Sequence, residues 1–194
     1  MNKRYIAIIG KTAAGKAEFG LMLQEELGRG VEVSYHRFSD PLNGALDELA
    51  LEKSRPNQQW LSRMVRKKHG EKTLGNALLK RAEADSAGII YFDGVRRPQD
   101  VATVRKLNKS ILIEITAPPK KRWERLRERS DRPGDANKSW KQFCKEQNAE
   151  PERLIDTIAK KADSHIDNSG TKAKLREHVR AFIKKFGISP KKPV

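Results

Sequence analysis

Apolar residues along the chain fall into two rhythms that alternate from one end to the other. Five short runs are rich in β-formers: Tyr5-Ile6-Ala7-Ile8-Ile9, Val31-Glu32-Val33-Ser34-Tyr35, Gly88-Ile89-Ile90-Tyr91-Phe92, Ile111-Leu112-Ile113-Glu114-Ile115-Thr116, and a short one around His165-Ile166-Asp167. Between them apolar residues recur every three or four positions, which predicts helices. These run on Phe19, Met22, Leu23 and Leu27; on Leu42, Leu46, Leu49 and Ala50; on Trp60, Leu61, Met64 and Val65, then Leu74, Leu78 and Leu79 after a break at His69-Gly70. The series continues on Val101, Val104 and Leu107; on Trp123 and Leu126; on Leu154, Ile155, Ile158 and Ala159; and on Leu175, Val179, Phe182, Ile183 and Phe186. A helix between successive strands permits a parallel crossover, so the pattern predicts an α/β fold with ligands at the carboxyl ends of its strands. A single domain over 1–188 is expected, followed by a flexible basic tail at 189–194, with neither an internal repeat nor a low-complexity block.

The first strand is followed by Gly10-Lys11-Thr12-Ala13-Ala14-Gly15-Lys16-Ala17 and then by a helix. Strand, glycine-rich turn and helix start make a phosphate cradle. Two glycines let the backbone curl so that N–H groups point inward, the helix dipole adds positive potential, and Lys16 reaches the β- and γ-phosphates. The pattern wants Ser or Thr after the lysine, as a hydroxyl ligand for Mg²⁺. Ala17 offers a methyl group, so the loop should bind phosphate with an incomplete metal shell.

Residues just after the other strands are the next candidates. In Phe38-Ser39-Asp40-Pro41-Leu42, Ser39 or Asp40 can cap a helix, and Asp40 can also orient or deprotonate an attacking hydroxyl. Asp93 closes the apolar run before Gly94-Val95-Arg96-Arg97; beside the phosphate loop it would hold Mg²⁺ directly or through water, and Arg96 or Arg97 would face a second phosphate. Arg63, on a helix with Arg66, Lys67 and Lys68, is the cation there most suited to touch ligand, although most of that charge should coat a solvated face. Arg122, Arg125 and Arg129 share one helix face that runs into Ser130-Asp131-Arg132-Pro133-Gly134-Asp135. Such a face ending in a Pro-Gly loop suits a mobile lid, about 118–148, that stabilises charge on a transferring phosphoryl group; the bland alternative is a solvated basic helix balanced by Glu124 and Glu128.

Composition narrows the partners. Forty-one Lys and Arg against 25 Asp and Glu give a net charge of +16, a field that attracts phosphate-bearing ligands, nucleic acid or anionic lipid surfaces. Aromatics make up only 6% and show no clustered exposed pair, which speaks against a single-strand binder. The single Cys144 excludes an intrachain disulfide, none of the four histidines has a partner at metal-ligand spacing, and no apolar run approaches a membrane span. A cytoplasmic protein without membrane partners, monomeric or weakly self-associating, is expected.

Gly10 to Lys16, Phe38-Ser39-Asp40-Pro41-Leu42, Phe92-Asp93-Gly94-Val95-Arg96 and the arginine-rich helix together resemble the nucleoside monophosphate kinase group of P-loop NTPases. Within it, Asp93-Gly94-Val95-Arg96 and Asp167-Asn168-Ser169-Gly170-Thr171 are most similar to dephospho-coenzyme A kinases and their archaeal adenylate-kinase-like relatives. The resemblance covers about residues 4 to 183. It implies a three-layer sandwich with a five-stranded parallel sheet, ATP on the loop, Mg²⁺ near Asp93, and Arg125 with Arg129 or Arg132 as lid cations. It also implies an adenine beside Asn168, Gly170 and Thr171, and a small phosphorylated acceptor of the nucleoside monophosphate or dephospho-coenzyme A type. Ala17 departs from that pattern, as does Phe38, near which dephospho-coenzyme A kinases usually carry a further Asp. The alternative from another class is a nucleic-acid-associated protein that uses the nucleotide as a switch or binds polyanion without catalysis.

Overall fold

The computed structural model describes residues 3–129, 135–148 and 150–188. Its centre is a five-stranded, wholly parallel sheet of β1 (Arg4–Ile9), β2 (Val33–Arg37), β3 (Ile89–Asp93), β4 (Ser110–Thr116) and β5 (Ser164–Asp167), in the order β2-β3-β1-β4-β5. Nine helices flank it among the described residues: α1 (Lys16–Leu27), α2 (Asp40–Glu48), α3 (Arg55–His69), α4 (Thr73–Ala84), α5 (Pro98–Val104), α6 (Pro119–Arg129), α7 (Trp140–Gln147), α8 (Glu150–Ala159) and α9 (Lys172–Lys185).

The strand period sorts the core into two layers. Ile6 and Ile8 of β1 join Tyr91, Ile113 and Ile115 under α1 and α9. Ala7 and Ile9 point the other way, to Ile90, Phe92 and Leu112 under α4, α5 and α8. Covering both faces is what makes β1, β3 and β4 near-continuous apolar runs. The chain leaves β1 toward β2 but leaves β3 across β1 toward β4, so the order reverses beside β1. Loops after β1 and β3 therefore diverge, and the crevice between them is where ligands of open α/β sheets bind.

Three elements differ from the sequence expectation. β2 starts at Val33 and runs through His36 and Arg37, because Arg37 pairs with Asp93 in the parallel register with β3; the mouth of the sheet begins at Phe38. α7 has no counterpart in the periodicity, since it buries only Phe143 of its eight residues; the signal it does carry is a capping box, in which Ser139 and Gln142 bond each other's backbone N–H. On α3 only part of the expected apolar stripe is covered: Leu61 and Val65 are half-buried, whereas Trp60 and Met64 are 45% and 52% exposed.

Two polar contacts pin the layers. At the edge, Asp85 Oδ2 accepts from Ser34 Oγ at 2.5 Å and lies 2.8 Å from His36 Nε2, while Asp85 Oδ1 accepts from Ala87 N–H. At the centre, Asn168 at the end of β5 donates Nδ2 to Ala14 O at 2.9 Å; a Cβ on Gly15 would lie 2.1 Å from that nitrogen, and Gly15 has φ +108°.

Both give measurable expectations. Gly15→Ala should cost about 2 kcal/mol or more in urea unfolding, from left-handed strain together with the collision. Adding Asn168→Ala should recover the collision part, and purely additive losses would show that the two residues do not meet. The Ser34 hydroxyl and Ala87 N–H, with His36, hold the Asp85 carboxyl at about 2. A carboxyl whose folded pKa lies below its unfolded value adds stability above the unfolded pKa and loses it as pH falls toward the folded one. Asp85→Asn should therefore cost up to about 2 kcal/mol at pH 7, with the gap in melting temperature closing between about pH 4 and 2; a pH-independent gap would contradict this.

Candidate functional site

The phosphate loop leaves β1 at its carboxyl end and enters α1 at Lys16. Its curl uses one more residue than the two glycines expected: Ala13 also takes the left-handed conformation, at φ 61°. That conformation is unusual for a residue with a side chain, and the Ala13 methyl is buried against Leu126 of α6 and Phe143 of α7, with Trp123 and Cys144 at the margin. Gly10 is needed for another reason. A Cβ there would lie 2.5 Å from Ile115 O, so the loop can follow β4 only without one. Lys16 Nζ donates to Gly10 O at 2.9 Å and to Lys11 O at 3.2 Å, placing the ammonium inside the curl. The N–H groups of Lys16, Ala17 and Glu18 come before the first bond of the helix, Phe19 N–H to Gly15 O, and lie at the positive end of its dipole. Ala17 is exposed on that first turn.

Asp93 ends β3, the strand next to β1, and so lies across the crevice from the loop. Its Oδ2 accepts from Tyr35 Oη at 2.7 Å and its Oδ1 from Gly94 N–H at 2.6 Å. Burial, then the Asp93 charge, raises the Tyr35 phenol far above its ordinary value, so it remains a donor. Tyr91, stacked on Tyr35 at 5.2 Å, donates to Lys16 O at 2.7 Å. Buried Tyr91 and half-buried Tyr35 thus tie the carboxylate and the helix start to one aromatic block, a link the strand pattern hides because both read as ordinary strand residues.

On the other flank, Asn168 sits on Ala14 O, Arg125 Nη2 donates to Asn168 O at 2.9 Å, and Lys121 Nζ donates to Ser169 O. The second nitrogen, Arg125 Nη1, is buried with no partner. Gly170 is exposed, and Thr171 caps α9 through Lys174 N–H. Arg125, Asn168 and the loop therefore meet. Of the other lid arginines, the Arg129 side chain and the whole of Arg132 lie outside the described residues.

Acceptor-side candidates are placed unevenly. Neither Ser39 nor Asp40 caps α2 through its side chain; Asp40 folds back to accept the Arg37 N–H at 2.6 Å, across the end of β2. Arg96 reaches the loop's neighbourhood, where its Nη1 donates to Glu152 Oε1 at 2.6 Å. Arg63 is exposed, on the same outward stripe as Trp60, Met64 and Lys67. The α3 cation turned inward is Arg66, 3.7 Å from Asp100, whose carboxylate accepts the N–H groups of Arg96 and Arg97. Burial raises the Asp100 carboxyl against those N–H groups and Arg66.

Two buried charges emerge only from the tertiary structure. Arg122, 4% exposed, donates to Thr12 O at 3.2 Å, to Ala117 O at 3.1 Å and to Gln147 Oε1. Burial lowers its pKa, with Glu152 and Asp156 partly compensating. Glu152, 3% exposed, accepts from Thr12 N–H and Thr12 Oγ1 as well as from Arg96. Burial alone would raise its carboxyl, but Arg96, the Thr12 N–H and Lys16 outweigh it and hold it below the ordinary range. One turn on, Asp156 pairs with Lys11 at 2.8 Å.

These residues suit negative charge through the Lys16 ammonium and the N–H groups of Lys16, Ala17 and Glu18 at the positive end of α1. For Mg²⁺ the fit is partial. Among the described residues no group of three or more His, Cys, Asp or Glu could hold a metal. Asp93 alone, with no hydroxyl at Ala17, suits an ion whose remaining ligands are water and phosphate, the usual habit of Mg²⁺. On the β4 side of the loop, a cleft of about 180 Å³ opens between Gly10, Ala14, Thr116, Arg122 and Asp156.

No protein-family model matches the chain. A UPF0200 protein of Hyperthermus butylicus is 28% identical over 130 residues, covering 67% of this chain and 69% of its own. A UPF0200 protein of Pyrococcus horikoshii is 26% identical over 186 residues, covering 93% and 96%. Among solved structures, TT1252 of Thermus thermophilus superposes with a TM-score of 0.63 at 16% identity over 95% of this chain and 98% of that one. Shikimate kinase from Acinetobacter baumannii, in complex with shikimate, gives 0.53 at 15% identity over 98% and 96%. With the sheet order β2-β3-β1-β4-β5, these likenesses establish the fold, an α/β sandwich on a five-stranded parallel sheet that the chain shares with TT1252 and shikimate kinase.

Proposed function

We propose that the protein transfers the γ-phosphoryl group of ATP to a small phosphorylated acceptor, of the nucleoside monophosphate or dephospho-coenzyme A class. The observation that supports this reading is the glycine-rich loop with Lys16 at the carboxyl end of β1, with Asp93 at the end of the neighbouring β3 and Arg125 tied to the loop through Asn168. The kinase likeness of the fold supports it, shikimate kinase included. Within the loop from Gly10 to Ala17, backbone N–H groups other than those of Thr12 and Ala14, which go to Glu152 and Lys11, bind the triphosphate, and Lys16 leaves the Gly10 and Lys11 carbonyls to meet it. Asn168, Gly170 and Thr171 flank the adenine, and Arg125, with Arg129 and Arg132 from the lid, neutralises charge as the phosphoryl group moves. Asp40 orients the acceptor hydroxyl, while Arg96 and Arg63 face the acceptor's own anionic group. Mg²⁺, when bound near Asp93, would neutralise the phosphate oxygens.

A second reading has its own observations. Trp123 and Trp140 form an edge-to-face pair at 5.8 Å, with Lys120 4.2 Å over Trp123 and Trp140 40% exposed. This clustered aromatic pair is one the sequence did not lead us to expect. It and the basic stripe of α3 would suit a polyanion-binding protein without kinase activity.

Calorimetry separates the two. Lys16→Ala should weaken ATP binding by about tenfold or more, since a charge-assisted contact is worth about 1.5–3 kcal/mol; equal affinities would remove the loop as the nucleotide site. Turnover in a panel of phosphorylated acceptors would then identify the substrate. No turnover with intact ATP binding, alongside micromolar nucleic-acid binding that collapses with salt, would favour the second reading. The missing hydroxyl supplies a further expectation. Ala17→Ser should lower the Mg²⁺ concentration for half-maximal ATP binding several-fold, by about one hydrogen bond, and a wild type already saturated at sub-millimolar Mg²⁺ and unimproved by serine would show that the metal shell lacks nothing.

A further inference from the structure

Glu152 takes no part in the function proposed above, yet it joins its two halves. It stands on α8, 3% exposed, with Oε1 accepting from both Arg96 Nη1 at 2.6 Å and Thr12 Oγ1 at 3.2 Å, and Oε2 from Thr12 N–H at 3.3 Å. Because one oxygen serves both donors, Arg96 Nη1 and the Thr12 hydroxyl can be no farther apart than those two bonds laid end to end. Arg96 is therefore fixed close to the rim of the phosphate loop. Only one of its terminal nitrogens is committed; Nη2 and Nε make no bond to the described residues, and its side chain is 37% exposed. A guanidinium held along one edge and open along the other presents its remaining donors in a set direction.

We infer that Glu152 is a positioning residue that fixes Arg96 at the rim of the loop beside Thr12, so that loop and arginine read a single continuous anion. The ligand this fits is a polyphosphate chain, or a triphosphate met end-on by an acceptor's anionic group. Glu152 would touch neither. It acts through Arg96 and Thr12. Free of Glu152, Arg96 would sample many rotamers, and part of its contact energy would be lost in ordering it.

The inference rests on the phosphate-loop reading, and inorganic polyphosphates test the two separately. On this inference two phosphoryl groups lie on the loop, as pyrophosphate would, and the third group of a triphosphate or of tripolyphosphate is the one that meets Arg96. By calorimetry, wild type should bind tripolyphosphate about tenfold more tightly than pyrophosphate, the worth of one charge-assisted contact. In Arg96→Ala, Glu152→Ala and Glu152→Gln that preference should shrink to about twofold, while pyrophosphate affinity stays within about threefold of wild type. Glu152→Gln together with Arg96→Ala should lose no more than either alone, because both act on one contact. Glu152→Gln keeps the shape and an acceptor for Thr12, and so remains informative if Glu152→Ala fails to fold. Retention of the full preference in Glu152→Gln would overturn the inference, as would an equal loss for both ligands, which would make Glu152 a prop of the loop alone. Pyrophosphate binding unchanged by Lys16→Ala would instead sink the loop reading, and this one with it.

Discussion

Thr12 is held through every polar atom it possesses. Its N–H and hydroxyl go to Glu152 of α8, and its carbonyl takes Arg122 of α6, which also bonds Gln147 of α7. A loop that must present N–H groups inward gains little from its own sequence in keeping that shape, because glycine-rich backbone has many alternatives to lose. Here the shape is imposed from outside by three helices that follow the loop by more than a hundred residues. Both clamping charges are nearly excluded from water: Arg122 is offset by Glu152 and Asp156, and Glu152 by Arg96, Lys16 and the Thr12 N–H. Removing Arg122 would take the donor from the Thr12 carbonyl and from Gln147 at once, so α7 and that edge of the loop should loosen together.

Distance along the chain decides what could be read before the fold was seen. β1, the glycine pair, Lys16 and Asp93 are local signals: an apolar run, a turn and a helix start within a few residues, or an acid closing a strand. Arg122 and Glu152 carry no such signal. Arg122 shares a helix face with Arg125 and looks equivalent to it, but α6 turns Arg122 into Thr12 and Arg125 toward Asn168. Glu152 looks like any acid at the start of an amphipathic helix. The two conformations that only packing explains, left-handed Ala13 and the uncapped start of α2, were likewise out of reach, since each depends on a partner from elsewhere in the chain or from a strand whose end is set by pairing.

Charge is distributed with the same logic. Cations near the crevice are committed: Lys11 to Asp156, Arg96 to Glu152, Arg66 to Asp100. Like charges crowded together would repel one another, and these acids offset them and hold them in place. The outer stripe of α3 differs. Arg63, Lys67 and Lys68 are exposed, the helix contains no acid to balance them, and none of its described side chains is fully buried. Pairs there would be worth little in water, so that stripe adds to the long-range field more than to stability.

Asp93 shows how a carboxylate can be kept available without being free. Tyr35 and Gly94 take one bond on each oxygen, about half of its accepting capacity. Both donors are neutral, so the full negative charge remains, and the raised phenol of Tyr35 prevents a second anion from forming beside it. A paired cation would have neutralised the acid; a bare acid would have been free to rotate. Two neutral donors fix its direction and add no opposite charge beside it, so the carboxylate is oriented by its neighbours without being paired.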